Sequence, residues 1–295
     1  MSKQNSSLPF TPLIVVGAGR SGTNALRNAL CALPGFSTWP CDEINPIWRH
    51  GNVFFPNDEI PESAARPSVK RFIRKAFHQI WSERGRPRYV VEKTCANSLR
   101  IPFVNAVLPE AKFVYIVRNG LEVVASANKR WRGELEFAGL PYFLAKVRYT
   151  PLFDLPLYGW SFLKNRAAMV MGRREHLSVW GPRAAGLENH MHDSLDALCA
   201  RQWAACVNQS DTAFASLDPR RVFKLCYEDL ISDPKQTLKD ILAFLDVQAD
   251  TETIALAAGS IRQKPAKKDS QLNEKLGKQV LGLMDEPLRR HEYGV

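Results

Sequence analysis

Two stretches of the chain carry residue types that can hold and transfer a charged group. The first, Leu13-Ile-Val-Val-Gly-Ala-Gly-Arg-Ser-Gly-Thr-Asn-Ala-Leu26, sets a β-branched run before a glycine-rich turn and a helix start. That order wraps backbone N–H groups around a phosphate. The second, Val117-Arg-Asn-Gly-Leu-Glu-Val-Val-Ala-Ser126, places Arg118 at the end of an apolar strand pattern and Ser126 two turns into the helix that follows. An arginine at the C-terminal end of a parallel strand, where α/β sheets bind ligands, and a serine on the adjoining helix can grip one phosphate from two directions.

Three nucleotide-site readings compete for the first stretch. As a P-loop, Gly17-x4-Gly22 has the right spacing, but Thr23 and Asn24 stand where the phosphate lysine and the magnesium hydroxyl belong. As Gly17-x-Gly19-x-x-Gly22 it meets the dinucleotide fingerprint, with Asp42 and Glu43 about 20 residues on where a ribose-binding acid would fall. The approach to those acids, Leu33-Pro-Gly-Phe-Ser-Thr-Trp-Pro-Cys41, is broken by prolines and glycine and makes a poor second strand. An NAD- or FAD-dependent oxidoreductase therefore stands as an alternative, as does a nucleotide-binding module without catalysis. In the third reading, Arg20-Ser-Gly-Thr23 puts a cation and two hydroxyls among the loop amides of Gly19 to Asn24. Amides and hydroxyls then hold the phosphate of a 5′-phosphosulfate, while the cation offsets charge developing on the bridging oxygen.

The elements that must position these residues alternate. Strands are expected at about 13–17, 88–92, 111–117 and 221–226, and helices at about 22–33, 68–84, 99–108, 120–130, 192–216 and 235–245. This alternation predicts an α/β, P-loop-like three-layer fold, a central parallel sheet flanked by helices. One domain over 1–295 is expected, interrupted at about 131–190 by an aromatic, basic insertion that forms a lid or acceptor side.

With 295 residues, 45% hydrophobic and 24% charged, the chain reads as an ordinary soluble protein with a substantial core. A net charge of +10 calls for an anionic partner. No zinc finger, RRM-like aromatic signature or recognition helix directs that charge to nucleic acid. Neither a signal-peptide apolar segment nor a membrane-span-length run is present, and the six cysteines lack Cys-x-x-Cys spacing. A cytoplasmic protein with reduced thiols is expected. His190-Met-His192, the one close histidine pair, reads as a polar helix start, and no metal is expected.

Together the two anchors resemble the sulfotransferases that use 3′-phosphoadenosine 5′-phosphosulfate (PAPS). In that family Arg/Lys-Ser-Gly-Thr binds the 5′-phosphosulfate and a later Val-Arg-(Asp/Asn)-x6-Ser binds the 3′-phosphate, matched here by Arg20 to Thr23 and by Arg118 with Ser126. Val91-Glu-Lys-Thr-Cys-Ala-Asn97 is similar to the Glu-Lys-Thr-Pro segment of glycan and bacterial members. Cys226-Tyr-Glu-Asp-Leu-Ile-Ser-Asp-Pro234 looks like the family's Tyr-Glu-Asp-Leu segment.

The resemblance covers about 13–130 and 195–250. It implies PAPS as sulfuryl donor, held by Gly19, Arg20, Ser21, Gly22, Thr23, Asn24, Arg118, Ser126 and Tyr227. It also implies Arg20 and Lys93 as catalytic cations, and Glu43 as the base, matching in position a glutamate of tyrosylprotein and several glycan members. A cleft lined by Trp39, Ile44 and Trp48 is expected to raise the Glu43 pKa.

The chain departs from the family pattern at Asn24, usually Ser or Thr, and at Cys95, usually proline. It also lacks the Arg-Lys-Gly segment of the cytosolic small-molecule enzymes, for which Arg262, Lys264 or Lys267 would substitute. The acceptor expected is a carbohydrate or glycolipid hydroxyl, with protein tyrosine second. Trp131, Tyr142, Trp160 and Trp180 would stack on sugar rings, or the insertion would hold the protein peripherally against an anionic bilayer.

Overall fold

Each long strand of the computed structural model divides its side chains between two cores. The structure describes residues 7–131, 148–149, 180–262 and 276–294. Strands β1 (Thr11–Val16), β3 (Tyr89–Lys93), β4 (Lys112–Val117) and β5 (Val222–Cys226) are parallel, with β2 (Phe36–Ser37) at one edge, in the order β2-β3-β1-β4-β5. Because side chains alternate along a strand, Leu13, Val15, Val91, Val114 and Ile116 face one side, and Ile14, Val16, Val90, Phe113, Tyr115 and Val117 the other. Burial on both faces is why these strands read as continuous apolar runs.

On the first face lie α1 (Thr23–Cys31), α7 (Tyr227–Ser232), α8 (Pro234–Leu245) and α9 (Thr251–Gly259), through Leu26, Leu30, Leu230, Leu238, Ile241 and Ile254. On the second lie α2 (Asn45–Arg49), α3 (Pro67–Glu83), α4 (Ile101–Val107), α5 (Gly120–Trp131) and α6 (Leu195–Ala215). The short helices α10 (Lys278–Gly282) and α11 (Asp285–Arg290) add Val280, Met284 and Leu288 to that core. The three-layer α/β expectation is met.

Three details depart from the sequence reading. Leu33 to Cys41 does form a strand, but of two residues only, since the flanking prolines and Gly35 leave no room for more. Helices α2, α7 and α9 were not expected. The helix expected over 99–108 is a 3₁₀ turn at Cys95–Leu99 followed by α4, because Pro102 fits only the first turn of a helix.

Sheet order bears directly on the nucleotide reading. A dinucleotide half places its second strand beside the first, with the ribose acid at its end. Here β1 is flanked by β3 and β4, and β2 lies outside β3. Asp42 instead pairs with Arg27, at 3.2 Å.

Close approach leaves no room for a side chain where β1 meets β4 and where α5 meets α6. A Cβ on Gly17 would lie 2.6 Å from the Ile116 carbonyl oxygen, and one on Gly120 2.8 Å from the Trp203 ring.

All six cysteines are free thiols. Among the described residues no helix is long and apolar enough to cross a membrane, and no group of three His, Cys, Asp or Glu is placed to hold a metal. His190 pairs with Asp193, at 3.2 Å. Most of the expected insertion, with Tyr142, Trp160 and the Trp131 side chain, lies outside the described residues, as do Lys264 and Lys267.

Candidate active site

The C-terminal ends of β1, β3, β4 and β5 bring the sequence-named residues to one edge of the sheet. After β1 the chain turns through Arg20 at φ 70° and Gly22 at φ 89°. Arg20 is an L-residue held in the left-handed region, a strain found at ligand-binding turns. Gly22 has a second constraint: a Cβ there would lie 2.3 Å from the Tyr227 ring.

Helix α1 begins at this turn without a side-chain cap and without an acid in its first turn. Helices α6, α8 and α9 are capped by Ser194, Asp233 and Asp250, whereas α2, α3, α4 and α7 lack a side-chain cap as α1 does. An uncapped N-terminus leaves backbone N–H groups and the positive end of the helix dipole for an anion. Inside the same turn the Ser21 hydroxyl is buried and has no hydrogen-bond partner. A phosphate oxygen would meet both needs.

Arg118 and Ser126 reach this turn directly. Arg118 Nη1 donates to the Arg20 carbonyl oxygen at 3.0 Å, and Arg20 Nε donates to Ser126 Oγ at 3.0 Å. The Arg118 guanidinium lies 4.3 Å from the Tyr227 ring centroid and is also ion-paired with Glu122. Sequence reasoning missed Glu122, although its spacing one turn from Arg118 on α5 is readable. Tyr227 sits between the turn and Arg118, so residues from β1, β4 and β5 form one cluster.

A second cluster joins the end of β3 to the 41–45 segment. Lys93 Nζ donates to Glu43 Oε1 at 3.0 Å, and the Cys95 N–H donates to the same oxygen at 3.3 Å. The Lys93 side chain is buried, while that of Glu43 is about a third exposed. Thr23 Oγ1 lies 3.8 Å from Cys95 Sγ, linking this cluster to the turn.

The electrostatics correct the sequence expectation. Burial does push Glu43 up, but Lys93 and the Cys95 donors outweigh it and lower its pKa to about 2. Burial pulls Lys93 down, yet Glu43 carries it above the ordinary lysine value. Both partners are therefore charged. Trp39, Ile44 and Trp48 line no cleft: they are buried in the core, where both tryptophan rings pack against Phe77. Aromatics in a proline-rich loop look like cleft walls in sequence, but here they anchor that loop to α3.

The carboxyl that burial does raise is Glu92, to about 7, even with Thr94 and Arg100 opposing. It was quoted within Glu-Lys-Thr but given no role. Burial also pushes the Cys95 thiol up to about 12, which keeps it protonated. Trp180, expected on an acceptor surface, has its ring 3.3 Å from where a Gly19 Cβ would lie. It borders the turn directly. Arg262 is exposed beyond α9, with no contact to the cluster among those described.

This parallel sheet with an anion-ready turn on its first strand is matched by a sequence-family model described as the sulfotransferase family, over residues 12–145 and 167–251. The chain belongs to the sulfotransferase family. No curated protein matches it. Among solved structures it is similar to sulfotransferase STF9 from Mycobacterium avium, at 15% identity over 96% of this chain and 77% of that one, with TM-score 0.54. It is also similar to sulfotransferase STF1 from Mycobacterium tuberculosis H37Rv, at 15% identity over 94% and 76%, with TM-score 0.51. At such identity the likeness is one of fold.

Proposed function

We propose that this sulfotransferase moves the sulfuryl group of PAPS to an acceptor hydroxyl, with Glu43 as general base. The observation that carries the reading is the junction of the two anion-binding segments, where Arg118 and Ser126 both bond to Arg20 in the uncapped turn. A single ligand with phosphates at its 5′ and 3′ positions fits two such segments meeting at one strand edge. PAPS supplies a sulfuryl group whose bond to the bridging phosphate oxygen breaks as the acceptor oxygen bonds to sulfur.

Within that reading, the amides of Gly19 to Asn24 and the Ser21 hydroxyl hold the 5′-phosphate, and Arg118 with Ser126 holds the 3′-phosphate. Tyr227 packs against the nucleoside between them. Arg20 offsets negative charge on the leaving oxygen. Glu43 takes the acceptor proton, and Lys93 shares its charge between Glu43 and the sulfuryl oxygens. As Lys93 turns to those oxygens, the Glu43 carboxylate becomes more basic just where a base is needed. Positioning and electrostatics then carry the reaction.

The acceptor proposed is a carbohydrate or glycolipid hydroxyl, presented on the side where Trp180 borders the turn. The single-domain organisation, with residues 131–190 on the acceptor side, belongs to the same proposal.

Calorimetric titration with adenosine 3′,5′-bisphosphate, against 5′-AMP and NAD, tests the donor site. Binding that requires the 3′-phosphate and weakens roughly tenfold to a hundredfold in Arg118→Ala is expected, the worth of one charge-assisted contact. Equal affinity for 5′-AMP would overturn the assignment, and preferential NAD binding would favour an oxidoreductase. With PAPS, sulfation of glycans or glycolipids but not tyrosine peptides is expected, lost in Glu43→Gln. Binding without turnover on any of them would mark a non-catalytic module.

A further inference from the structure

Glu43 sits in a bend between β2 and α2, with no strand or helix of its own to hold it. Its neighbours in the chain are nevertheless clamped on both sides. Ahead of it, Arg27 of α1 donates to the Asp42 carbonyl oxygen at 3.1 Å and to its carboxylate at 3.2 Å. Behind it, the Ile44 N–H donates to Thr94 Oγ1 at 3.2 Å, and Arg100 Nη2 donates to Asn45 Oδ1 at 2.6 Å.

The two clamps behind it share one origin. Thr94 Oγ1 donates to Glu92 Oε1 at 2.5 Å, and Asn97 Nδ2 donates to Glu92 Oε2 at 2.8 Å. Asn97 Oδ1 in turn accepts from Arg100 Nε at 2.9 Å. Glu92, Thr94, Asn97 and Arg100 are all at most 1% exposed. Such a network, buried and with both carboxylate oxygens hydrogen-bonded, holds its members in one arrangement.

Side-chain alternation along β3 explains the geometry. Lys93 points toward Glu43, while Glu92 and Thr94 grip the backbone that carries it.

We propose that Glu92, Thr94 and Asn97 are positioning residues that set the Glu43 carboxylate against Lys93 by pinning Ile44 and Asn45. Their role in turnover rests on the reading of Glu43 as base; the placement of Glu43 does not, so it is measured separately.

Carbon-13 NMR of glutamate-labelled protein follows the Glu43 carboxyl, assigned by its loss in Glu43→Gln. In Thr94→Val the Glu43 titration midpoint is expected to rise by about one unit or more toward the ordinary carboxylate range, as the Lys93 and Cys95 contacts loosen. Thr94→Ser, which keeps the hydroxyl, restores it. An unchanged midpoint in folded Thr94→Val overturns the proposal. Should Thr94→Val fail to fold, Asn45→Ala cuts the second route at a half-buried position, and there too an unchanged midpoint overturns it.

Turnover gives the second readout. Thr94→Val is expected to lower kcat about tenfold with adenosine 3′,5′-bisphosphate affinity unchanged, and to have no further effect in a Glu43→Gln background. Additive losses would show that Thr94 acts other than through Glu43, and would overturn the proposal. Full activity in Glu43→Gln alone would instead sink Glu43 as base, leaving the NMR result to judge its placement.

Discussion

Glu43 and Glu92 lie on either side of one lysine-bearing strand end, yet burial and pairing move their acidities in opposite directions. Glu43 is held at about 2, so its contribution to stability is present above the ordinary carboxylate range and is lost as the pH falls toward about 2. Glu92 is raised to about 7, so the folded chain keeps a proton there that the unfolded chain has released. Its contribution is therefore present at acid pH and is lost as the pH rises through about 7. Glu92→Gln fixes that position in a neutral form. The melting temperature of the wild type, measured from about pH 5 to about pH 8, is expected to fall more steeply than that of Glu92→Gln. Parallel slopes would show that Glu92 is ionised like an ordinary carboxylate across that window. Arg20, Arg118 and Ser126 could be picked out from residue type and spacing, as a cation in a glycine turn and a cation–serine pair across a strand end. Lys93 was legible only through the family resemblance. Which side chain each would meet could not be read, because the Lys93–Glu43 pair joins segments fifty positions apart.

Helix α1 starts without a side-chain cap, as α2, α3 and α4 do, and in the proposed site its open end would take the donor phosphate. A side-chain cap contributes about 1 kcal/mol to a helix, and α1 forgoes it at Gly22 while α6 takes it from Ser194, whose hydroxyl accepts the Ala197 N–H at 3.3 Å. Ser194→Ala is therefore expected to cost about 1 kcal/mol of stability in denaturant melts while leaving adenosine 3′,5′-bisphosphate affinity intact. Gly22→Ala is expected to cost roughly 2–4 kcal/mol, from the left-handed backbone and the collision with Tyr227 together, and to abolish binding. If both variants bind normally, the turn is not the anion site. Strands β1, β3 and β4 and the long helices were legible because their apolar periods are long and these three strands are buried on both faces. The edge strand β5, with only Leu225 buried, showed as a short apolar run. Strand β2 was not legible, since two residues carry no period. Helix α2 was missed because its five residues are shorter than any periodic signal. Among the described residues the partly buried ring of Trp180 shows that the end of the expected insertion returns to the turn, a long-range packing fact that local patterns do not carry.

At the scale of the molecule, the sheet divides its labour between the two ends of its strands. The carboxyl ends gather Arg20, Lys93, Arg118 and Tyr227 at one edge. At the opposite end the contacts are structural: Tyr89 Oη donates to the Leu245 carbonyl oxygen at 2.6 Å, and Lys112 Nζ donates to that of Phe244 at 2.9 Å, tying α8 to the sheet. Register transmits the one to the other, because Leu13 paired with both Val91 and Lys112 fixes how far each strand projects into the site. The same intolerance of displacement reaches the genetic level through Gly17 and Gly120. Every single-base missense change in a glycine codon installs a side chain, which at Gly17 collides with the Ile116 carbonyl oxygen of β4 and at Gly120 with the Trp203 ring of α6. In a randomly mutagenised gene selected for activity, codons 17 and 120 are expected to be emptied of missense variants almost as thoroughly as of stop codons. Codon 277, whose glycine has nothing within 4 Å of an added Cβ and a φ of -61° that any residue adopts, should retain far more.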